Sequence, residues 1–109
     1  MKYSVLVLYQ ATPLWLSLTR DERGVFFKMK VAPLIQKFRQ SLSIRLFDSE
    51  AFHASISDFM FVECDNIKDY YFFMEHLRDT ELFGKPYIVL KDVVIGVENG
   101  FQLFEGENR

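Results

Sequence analysis

Two neighbouring strands that are apolar on both faces constrain this fold more than any other feature of the sequence. The stretch LSIRLFDSEAFHASISDFMFVEC contains one strand from Leu42 to about Asp48 and another from Ile56 to Cys64, joined by a short polar connection. Successive side chains of a strand point to opposite faces of a sheet. A sheet with two apolar faces must be covered on both of them. The chain has too little helix for both faces, so the sequence predicts a second subunit.

The two predicted faces differ in the kind of side chain that they carry. Phe47, Phe59 and Phe61 share one face, and three aromatic side chains in water would form a patch that monomers seldom tolerate. We therefore expect these three residues to form the interface of a homodimer. The opposite face is aliphatic and is expected to lie under the helices; it consists of Leu42, Ile44, Leu46, Met60 and Val62.

The register of the hairpin can also be predicted from its side chains. A connection centred near Ala54 places Leu46 opposite Val62 and Arg45 opposite Glu63, so that each pair is chemically matched. Arg45 and Glu63 would then form a partly desolvated ion pair on the aromatic face. Such a pair is a candidate for binding a ligand held between two sheets.

The remaining segments alternate between strands and helices. The capping-box spacing of Thr19 and Glu22 predicts the start of a helix. Pro33 lies within the apolar period of that helix, so we expect it to bend the helix without ending it. The predicted elements are a strand over 2–10, the helix that begins at Thr19, strands over 42–48 and 56–64, a helix over 67–81, and a strand over 87–90 that continues to 95 after a break at 91–92.

This β-α-β-β-α-β order is the split βαβ pattern of ferredoxin-like domains. It predicts an α+β fold in which two helices cover one face of a four-stranded antiparallel sheet. Residues 1–109 form one domain in this prediction, with residues 101–109 as a tail. The stripe of the second helix expected to face the sheet consists of Tyr70, Tyr71, Met74 and Leu77.

Composition limits the functions open to the chain. Its 109 residues carry a net charge of -2, which argues against a surface that binds nucleic acid or anionic membranes through bulk charge. No window is long and apolar enough to span a membrane, and no small-residue cleavage site follows the apolar N-terminal run. We therefore expect a cytoplasmic location. Cys64 is the only cysteine, which suits a reducing compartment and predicts a core residue.

Three motifs together resemble one known family. They are TPLWLSLTRDER near the N-terminus, RLFDSEAF in the hairpin and GVENGF near the end. This pattern is similar to that of the darcynin family of small bacterial proteins. The family in turn is similar to dimeric α+β barrel proteins, a superfamily with small monooxygenases, haem enzymes and proteins of no assigned activity. The resemblance implies a dimeric α/β barrel, and it supplies neither an established reaction nor a cofactor nor catalytic residues.

The connection between the central strands holds further ligand-binding candidates, namely Asp48, Glu50 and His53, and Asp58 belongs to the same group of carboxylates. Carboxylates beside a histidine can bind a divalent metal or exchange protons with a substrate. Their spacing matches no known metal signature, so we expect no metal site. The alternative interpretation is a solvated turn held by local bonds between side chains and backbone.

Three functional hypotheses follow from these features. The first is a barrel that binds or turns over a small apolar molecule, and the second is a non-catalytic dimeric module with a regulatory or structural role. The third is RNA binding, since Phe59, Phe61 and Val62 match part of an RNA-recognition strand, although the acidic connection argues against it. An internal cavity with converging polar groups would favour the first hypothesis.

Overall fold

The computed structural model describes residues 1–107, and within that range it contains four strands, six α-helices and one π-helical turn. The strands are β1 (Tyr3–Ala11), β2 (Leu42–Asp48), β3 (Asp58–Cys64) and β4 (Ile88–Val97). The helices are α1 (Pro13–Leu16), α2 (Arg20–Phe26), α3 (Ala32–Lys37), α4 (Ile67–Arg78), α5 (Glu81–Gly84) and α6 (Gly100–Glu107), and the π-helical turn (Phe27–Val31) joins α2 to α3.

The four strands form one antiparallel sheet in the order β2-β3-β1-β4. The helices from α2 to α4 pack on one face of this sheet, and their apolar side chains meet those of the central strands in a common core. The ferredoxin-like α+β fold predicted from the order of elements is therefore confirmed. We call the face under these helices the covered face and the opposite face the open face.

The first helical region begins where the sequence predicts. Thr19 Oγ1 accepts a hydrogen bond from the Glu22 amide at 3.1 Å, and Glu22 Oε1 accepts one from the Thr19 amide at 2.8 Å. The helix continues past Pro33 as predicted, because the π-helical turn precedes this residue. In that turn the Ala32 amide donates to the Phe27 carbonyl, five residues back, so the bonding pattern changes just before the missing proline amide.

The second helical region differs from the prediction in one buried residue. Asn66 caps α4 through a 3.0 Å bond from the Lys68 amide to its Oδ1 atom, as expected for this residue type. Tyr71 is 60% exposed, so its predicted burial is wrong, whereas Phe73 is 1% exposed. Helical geometry explains why Phe73 is buried in place of Tyr71. Positions 70, 73, 74 and 77 share one face of the helix, and position 71 is rotated by about 100° from position 70.

The covered and open faces differ sharply in burial. Val5, Val7 and Val62 of the covered face have no exposed surface. On the open face, the side chains of Phe47 and Val94 are 37% and 53% exposed. No helix within residues 1–107 packs against the open face, so the described chain leaves it uncovered.

The C-terminal segment extends away from the core. Strand β4 continues beyond the predicted end, and a register shift opposite Leu8 and Tyr9 leaves Lys91 as an extra residue, which accounts for the predicted break. The predicted tail, residues 101–109, mostly belongs to the exposed helix α6, which begins at Gly100. Residues 108 and 109 of that prediction lie outside the described residues. The molecule measures 58 Å along its longest axis and 18 Å along its shortest.

Candidate ligand cavity and its polar edge

A cavity of about 290 Å³ lies between the covered face and the helices above it. This volume is close to the lower end of the range of about 300–1,000 Å³ that is typical of ligand pockets. The half-exposed side chain of Leu46 belongs to its wall, so the cavity reaches solvent beside strand β2. The apolar lining consists of Ala11, Trp15, Phe26, Phe27, Val31, Ile35, Leu46, Phe47, Met60, Phe73, Leu77, Leu82 and Ile88.

Three ionisable side chains form a row along one end of this cavity. Tyr9 of β1 is the register partner of Asp58 of β3, and Asp58 is the register partner of Asp48 of β2. Opposed residues in antiparallel strands point to the same face, and here that is the covered face. All three residues line the cavity. The sheet thus places a phenol and two carboxyl groups next to one another at the polar edge of an apolar space.

The strand ends hold this row in place through Ser57. The buried Ser57 hydroxyl donates to Asp58 Oδ2 at 2.6 Å and accepts from the Ala11 amide at 2.7 Å. The Ser57 amide donates to the Tyr9 carbonyl at 3.1 Å. These bonds tie the start of β3 to the end of β1, and they fix one oxygen of the Asp58 carboxyl group.

The surroundings of Asp58 raise the pKa of its carboxyl group to about 6. Burial is the largest cause, the hydrogen bond from Ser57 acts in the opposite direction, and the neighbouring carboxyls of Asp48 and Glu50 raise the pKa further. Burial also raises the pKa of Tyr9, and the charges of Asp58 and Asp48 add to that effect. A carboxyl group that titrates near pH 6 can both accept and donate a proton near neutral pH.

Arg23 contributes a positive charge to the cavity wall. Its Nε atom donates to the Leu18 carbonyl at 3.2 Å, and no carboxylate oxygen of residues 1–107 lies within 4 Å of its guanidinium. Beside it, three aromatic rings pack against one another, with centroids 5.0 to 5.8 Å apart: Trp15, Phe26 and Tyr87. The cavity therefore combines an aromatic wall with a cation that has hydrogen-bond donors to spare.

Asp48 and Glu50, two of the predicted ligand-binding residues, lie together with Asp58. Oxygen atoms of these three carboxyl groups lie within 4.8 Å of one another, and such a group has the donor chemistry to hold a hard cation. Asp48 and Glu50 are exposed, and acidic groups of this kind are common on protein surfaces without a metal. The expectation of no metal site therefore stays a prediction.

His53 lies apart from these carboxyls and has a local structural role. Its Nδ1 atom accepts hydrogen bonds from the amides of Ser55 and Ile56, at 3.1 and 3.0 Å. The ring nitrogen thus faces the backbone of its own connection. This contact is of the kind that the alternative interpretation, a solvated turn held by local bonds, predicts.

Arg45 and Glu63, the other two predicted ligand-binding residues, lie on the open face and do not face each other. Strands β2 and β3 pair Arg45 with Phe61 and Ser43 with Glu63, so the predicted register is wrong by two residues. The strands are closed by a longer connection, residues 49–57, with a 2.8 Å bond from the Ser49 amide to the Ser57 carbonyl. A shift of two residues leaves every side chain on its predicted face, which the alternating pattern had already determined.

The aromatic residues predicted for the dimer interface are neighbours on the open face. The rings of Phe47 and Phe59 are stacked with centroids 4.8 Å apart. The guanidinium carbon of Arg45 lies 5.2 Å from the centre of the Phe61 ring and 5.7 Å from that of Phe47. Arg45 is therefore held by cation–π contacts instead of the predicted ion pair.

Two ionisable residues that line the cavity, Tyr9 and Arg23, were not among the sequence candidates. Tyr9 could have been found from strand pairing, because it stands opposite Asp58 once the register between β1 and β3 is known. Arg23 carries no local signal, since its position in the second turn of a helix is typical of a solvated residue. Only the packing of the helix over the sheet brings its side chain to the cavity wall.

Sequence comparison matches most of the chain to one protein family. Residues 2–108 match the pattern described as Darcynin, domain of unknown function. The chain is 31% identical over 90 residues to Darcynin 1 of Acinetobacter baumannii, which covers 83% of this chain and 99% of that protein. It is 30% identical over 98 residues to a darcynin homolog of Streptomyces avermitilis, which covers 90% of this chain and 80% of the relative.

Structural comparison finds the same fold in chlorite dismutase from Candidatus Nitrospira defluvii. The structure of that enzyme in complex with imidazole superposes with a TM-score of 0.77 at 16% sequence identity. A variant in complex with cyanide gives a TM-score of 0.76 at the same identity. Each match covers 88% of this chain and 39% of the other, so the chain spans about two fifths of the enzyme's length. At this identity the likeness shows the fold alone, a ferredoxin-like α+β domain.

Proposed function

Because the chain belongs to the darcynin family, a domain of unknown function, we propose a function from its own cavity: it binds a small molecule with an apolar body. The polar end of that molecule lies against Tyr9, Asp58 and Asp48. The observation that carries this proposal is the row of three ionisable groups at one end of a cavity whose remaining described lining is apolar except for Arg23. Apolar pockets with a few converging polar groups are the usual form of a small-molecule site.

The distribution of charge narrows the kind of ligand. The two carboxyl groups disfavour an anion at their end of the cavity, whereas a hydroxyl or amine can donate a hydrogen bond to them. The rings of Trp15 and Phe26 favour an aromatic or aliphatic body. Asp58 is the candidate for proton exchange with the bound molecule. Turnover of the ligand would depend on that exchange.

We also propose that the working form is a single-domain homodimer joined through the open face. Phe47, Phe59 and Phe61 support this assembly, because no described helix covers them and their partly exposed rings are contiguous. The buried thiol of Cys64 is compatible with a reducing compartment such as the cytoplasm. Within residues 1–107, no helix combines the length and the apolar character needed to cross a membrane.

The chemistry named for the structural neighbours does not transfer to this cavity. Chlorite is an anion, and among the described residues that line this cavity two carboxyl groups, Asp48 and Asp58, stand against one cation, Arg23. The superfamily also includes haem enzymes. The described residues that line this cavity include neither histidine nor cysteine, although Tyr9 and Met60 belong to residue types that can ligate haem iron. The cavity of about 290 Å³ is too small for a porphyrin, so its size does not fit a haem group.

The binding proposal can be tested with 4-methylphenol as a probe, since it has a small aromatic body and one hydroxyl group. The chain has a single tryptophan, Trp15, in the cavity wall, so its indole N–H signal in an NMR spectrum reports on the cavity directly. We expect a saturable shift of this signal on titration. The Ala11→Leu variant should weaken the binding by at least about tenfold, because the added atoms occupy the cavity.

Ala54→Leu is the matched control, because Ala54 lies in the exposed connection and outside the cavity lining. It should bind the probe as the wild type does. Absence of a saturable shift at millimolar probe, or equal affinity of the wild type and Ala11→Leu, would contradict the proposal. Circular dichroism would establish that each variant is folded.

The second candidate function is a non-catalytic dimeric module, and the exposed C-terminal segment favours it. Val94, Ile95, Phe101 and Phe104 are all at least 50% exposed, which suits contacts with another protein surface. RNA binding has less support. The open face carries one cation, Arg45, against two acidic residues, Glu63 and Asp92.

A further inference from the structure

Two of the three charged residues on the open face lie at its opposite edges, and the third, Glu63, lies on the central strand β3. Arg45 lies on β2, the strand at one edge of the sheet, and Asp92 lies on β4, the strand at the other edge. Both side chains are exposed, and neither forms an ion pair with any residue in the described part of the chain. Between them, the centre of the face is apolar and consists of Leu6, Leu8, Phe59 and Phe61.

Strand pairing gives the positions of these residues as rows across the sheet. One row runs from Arg45 through Phe61 and Leu6 to Val94. The next row runs from Phe47 through Phe59 and Leu8 to Asp92. Adjacent rows on one face are two residues apart, which is about 7 Å. Arginine is long enough to reach across that spacing.

Two copies can place their open faces together in two simple symmetric ways. A two-fold axis perpendicular to the strands places β2 over β2 of the second copy, so Arg45 lies near its own equivalent and Asp92 near its own. A two-fold axis parallel to the strands places β2 over β4 of the second copy. This second arrangement brings Arg45 within one row of Asp92 of the second copy, and it does so twice.

The parallel axis also matches the apolar centre. It places Phe59 opposite Leu8 of the second copy and Phe61 opposite Leu6, so each aromatic ring faces a smaller aliphatic side chain. We therefore propose that the open face binds a second copy with β2 over β4, through reciprocal contacts between Arg45 and Asp92. This inference rests on the homodimer of the proposed function, and it adds the orientation of the subunits and the polar contact that selects it.

The local geometry prepares both side chains for this contact. Arg45 lies over the Phe61 and Phe47 rings at 5.2 and 5.7 Å, which restrains its guanidinium while its N–H groups remain available. Asp92 Oδ1 accepts a hydrogen bond from the Val93 amide at 2.8 Å, which leaves its other oxygen free for a donor. A restrained guanidinium loses less conformational freedom on binding than a mobile one.

Charge reversal tests the proposal through the dimerisation constant measured by sedimentation equilibrium. Arg45→Glu and Asp92→Arg should each weaken dimerisation on the order of 100-fold, since each creates two like-charge contacts. An equimolar mixture of the two variants should form a heterodimer with near wild-type affinity, because both contacts are then complementary. The double variant should also recover as a homodimer. Glu63→Arg is the control, because Glu63 lies opposite Ser4 in the proposed arrangement and should change the constant by less than about threefold.

The outcomes separate this inference from the homodimer itself. A wild type that sediments as a monomer at micromolar concentration would overturn the homodimer and the inference together. Wild-type dimers with single variants that dimerise equally well would leave the homodimer intact and overturn the pairing of Arg45 with Asp92. Rescue of Arg45→Glu by Glu63→Arg, and not by Asp92→Arg, would likewise overturn the pairing. Circular dichroism of each variant identifies any loss of folding.

Discussion

The two faces of the sheet are formed by alternate residues of the same strands, yet they differ in how far their apolar side chains are removed from water. Val5, Val7 and Val62 on the covered face are fully buried by helices of the same chain. Phe47 and Val94 on the open face keep a large part of their surface exposed. Overall apolar content therefore does not distinguish a face that the same chain covers from a face that it leaves open. The open face differs in carrying aromatic rings beside an arginine, and these residue types are enriched at protein interfaces.

The largest expected effect comes from truncating the core on the covered face. Phe73 is 1% exposed, and Phe73→Ala should lower the free energy of unfolding by about 3–5 kcal/mol, through lost burial and the cavity left behind. Tyr71→Ala on the same helix is the matched control, because Tyr71 is 60% exposed and should cost less than about 1 kcal/mol. Urea unfolding at one protein concentration would measure both. Similar losses for the two variants would contradict the assignment of the faces.

Truncation on the open face should affect assembly instead of folding. Phe61→Ser removes an aromatic ring from the centre of the proposed interface, and we expect dimerisation to weaken by about 30-fold or more. Phe52→Ser is the control, since Phe52 is 91% exposed in the connection and outside both faces. Sedimentation equilibrium gives the constants. An unchanged constant for Phe61→Ser would show that the open face is not the interface.

A smaller effect concerns the pH dependence of stability at the polar edge. The pKa of Asp58 is raised to about 6 in the folded chain from an ordinary value of 3.8. Between these values the folded state keeps a proton that the unfolded chain has released, so the free energy of unfolding falls as the pH rises through this window. The loss is complete above about pH 6, and after allowance for partial exposure it amounts to roughly 1–2 kcal/mol.

Asp58→Asn should remove this part of the pH dependence, because the amide stays neutral while its oxygen can still accept from Ser57. From pH 4 to pH 7 the wild type should therefore lose unfolding free energy that the variant keeps. The variant should become more stable relative to the wild type at the higher pH. Urea titrations at the two values measure that change. If the difference in unfolding free energy between variant and wild type is the same at both pH values, Asp58 does not titrate in the expected window.

The smallest expected effect is at His53. His53→Ala removes the acceptor for two amides and should lower stability by about 1 kcal/mol, with faster hydrogen exchange at the amides of Ser55 and Ile56. His53→Asn retains an acceptor near the same position and should lose less. Equal exchange in all three proteins would mean that the Nδ1 contact does not hold the connection.

The strands, the helices and the aromatic face could be predicted from sequence because they depend on local periodicity. The capping box at Thr19 and the cap at Asn66 are local for the same reason. The hairpin register could not be fixed in this way, since a shift of two residues preserves both faces and changes only which side chains are opposed. Arg45 therefore lost its predicted partner Glu63 and gained Phe61.

The candidate site was accessible from sequence only in part. Asp48 and Glu50 were found because they lie in a polar connection between apolar strands. Tyr9 on strand β1 and Arg23 on helix α2 reach the cavity from parts of the chain that are distant in sequence from that connection. Their convergence depends on the pairing of β1 with β3 and on how the helix lies over the sheet, and neither is encoded in a local pattern.

The π-helical turn over Phe27–Val31 determines the phase between the two halves of the first helical region. Arg23 and Phe26 before it and Ile35 after it all face the cavity. Each residue of an α-helix advances the side chains by about 100°. Deleting one residue from the turn would therefore leave a helix of nearly the same length while rotating its first half about its own axis. Arg23 and Phe26 would leave the cavity wall together, so a change in residue count here would alter the cavity more than many changes of residue type.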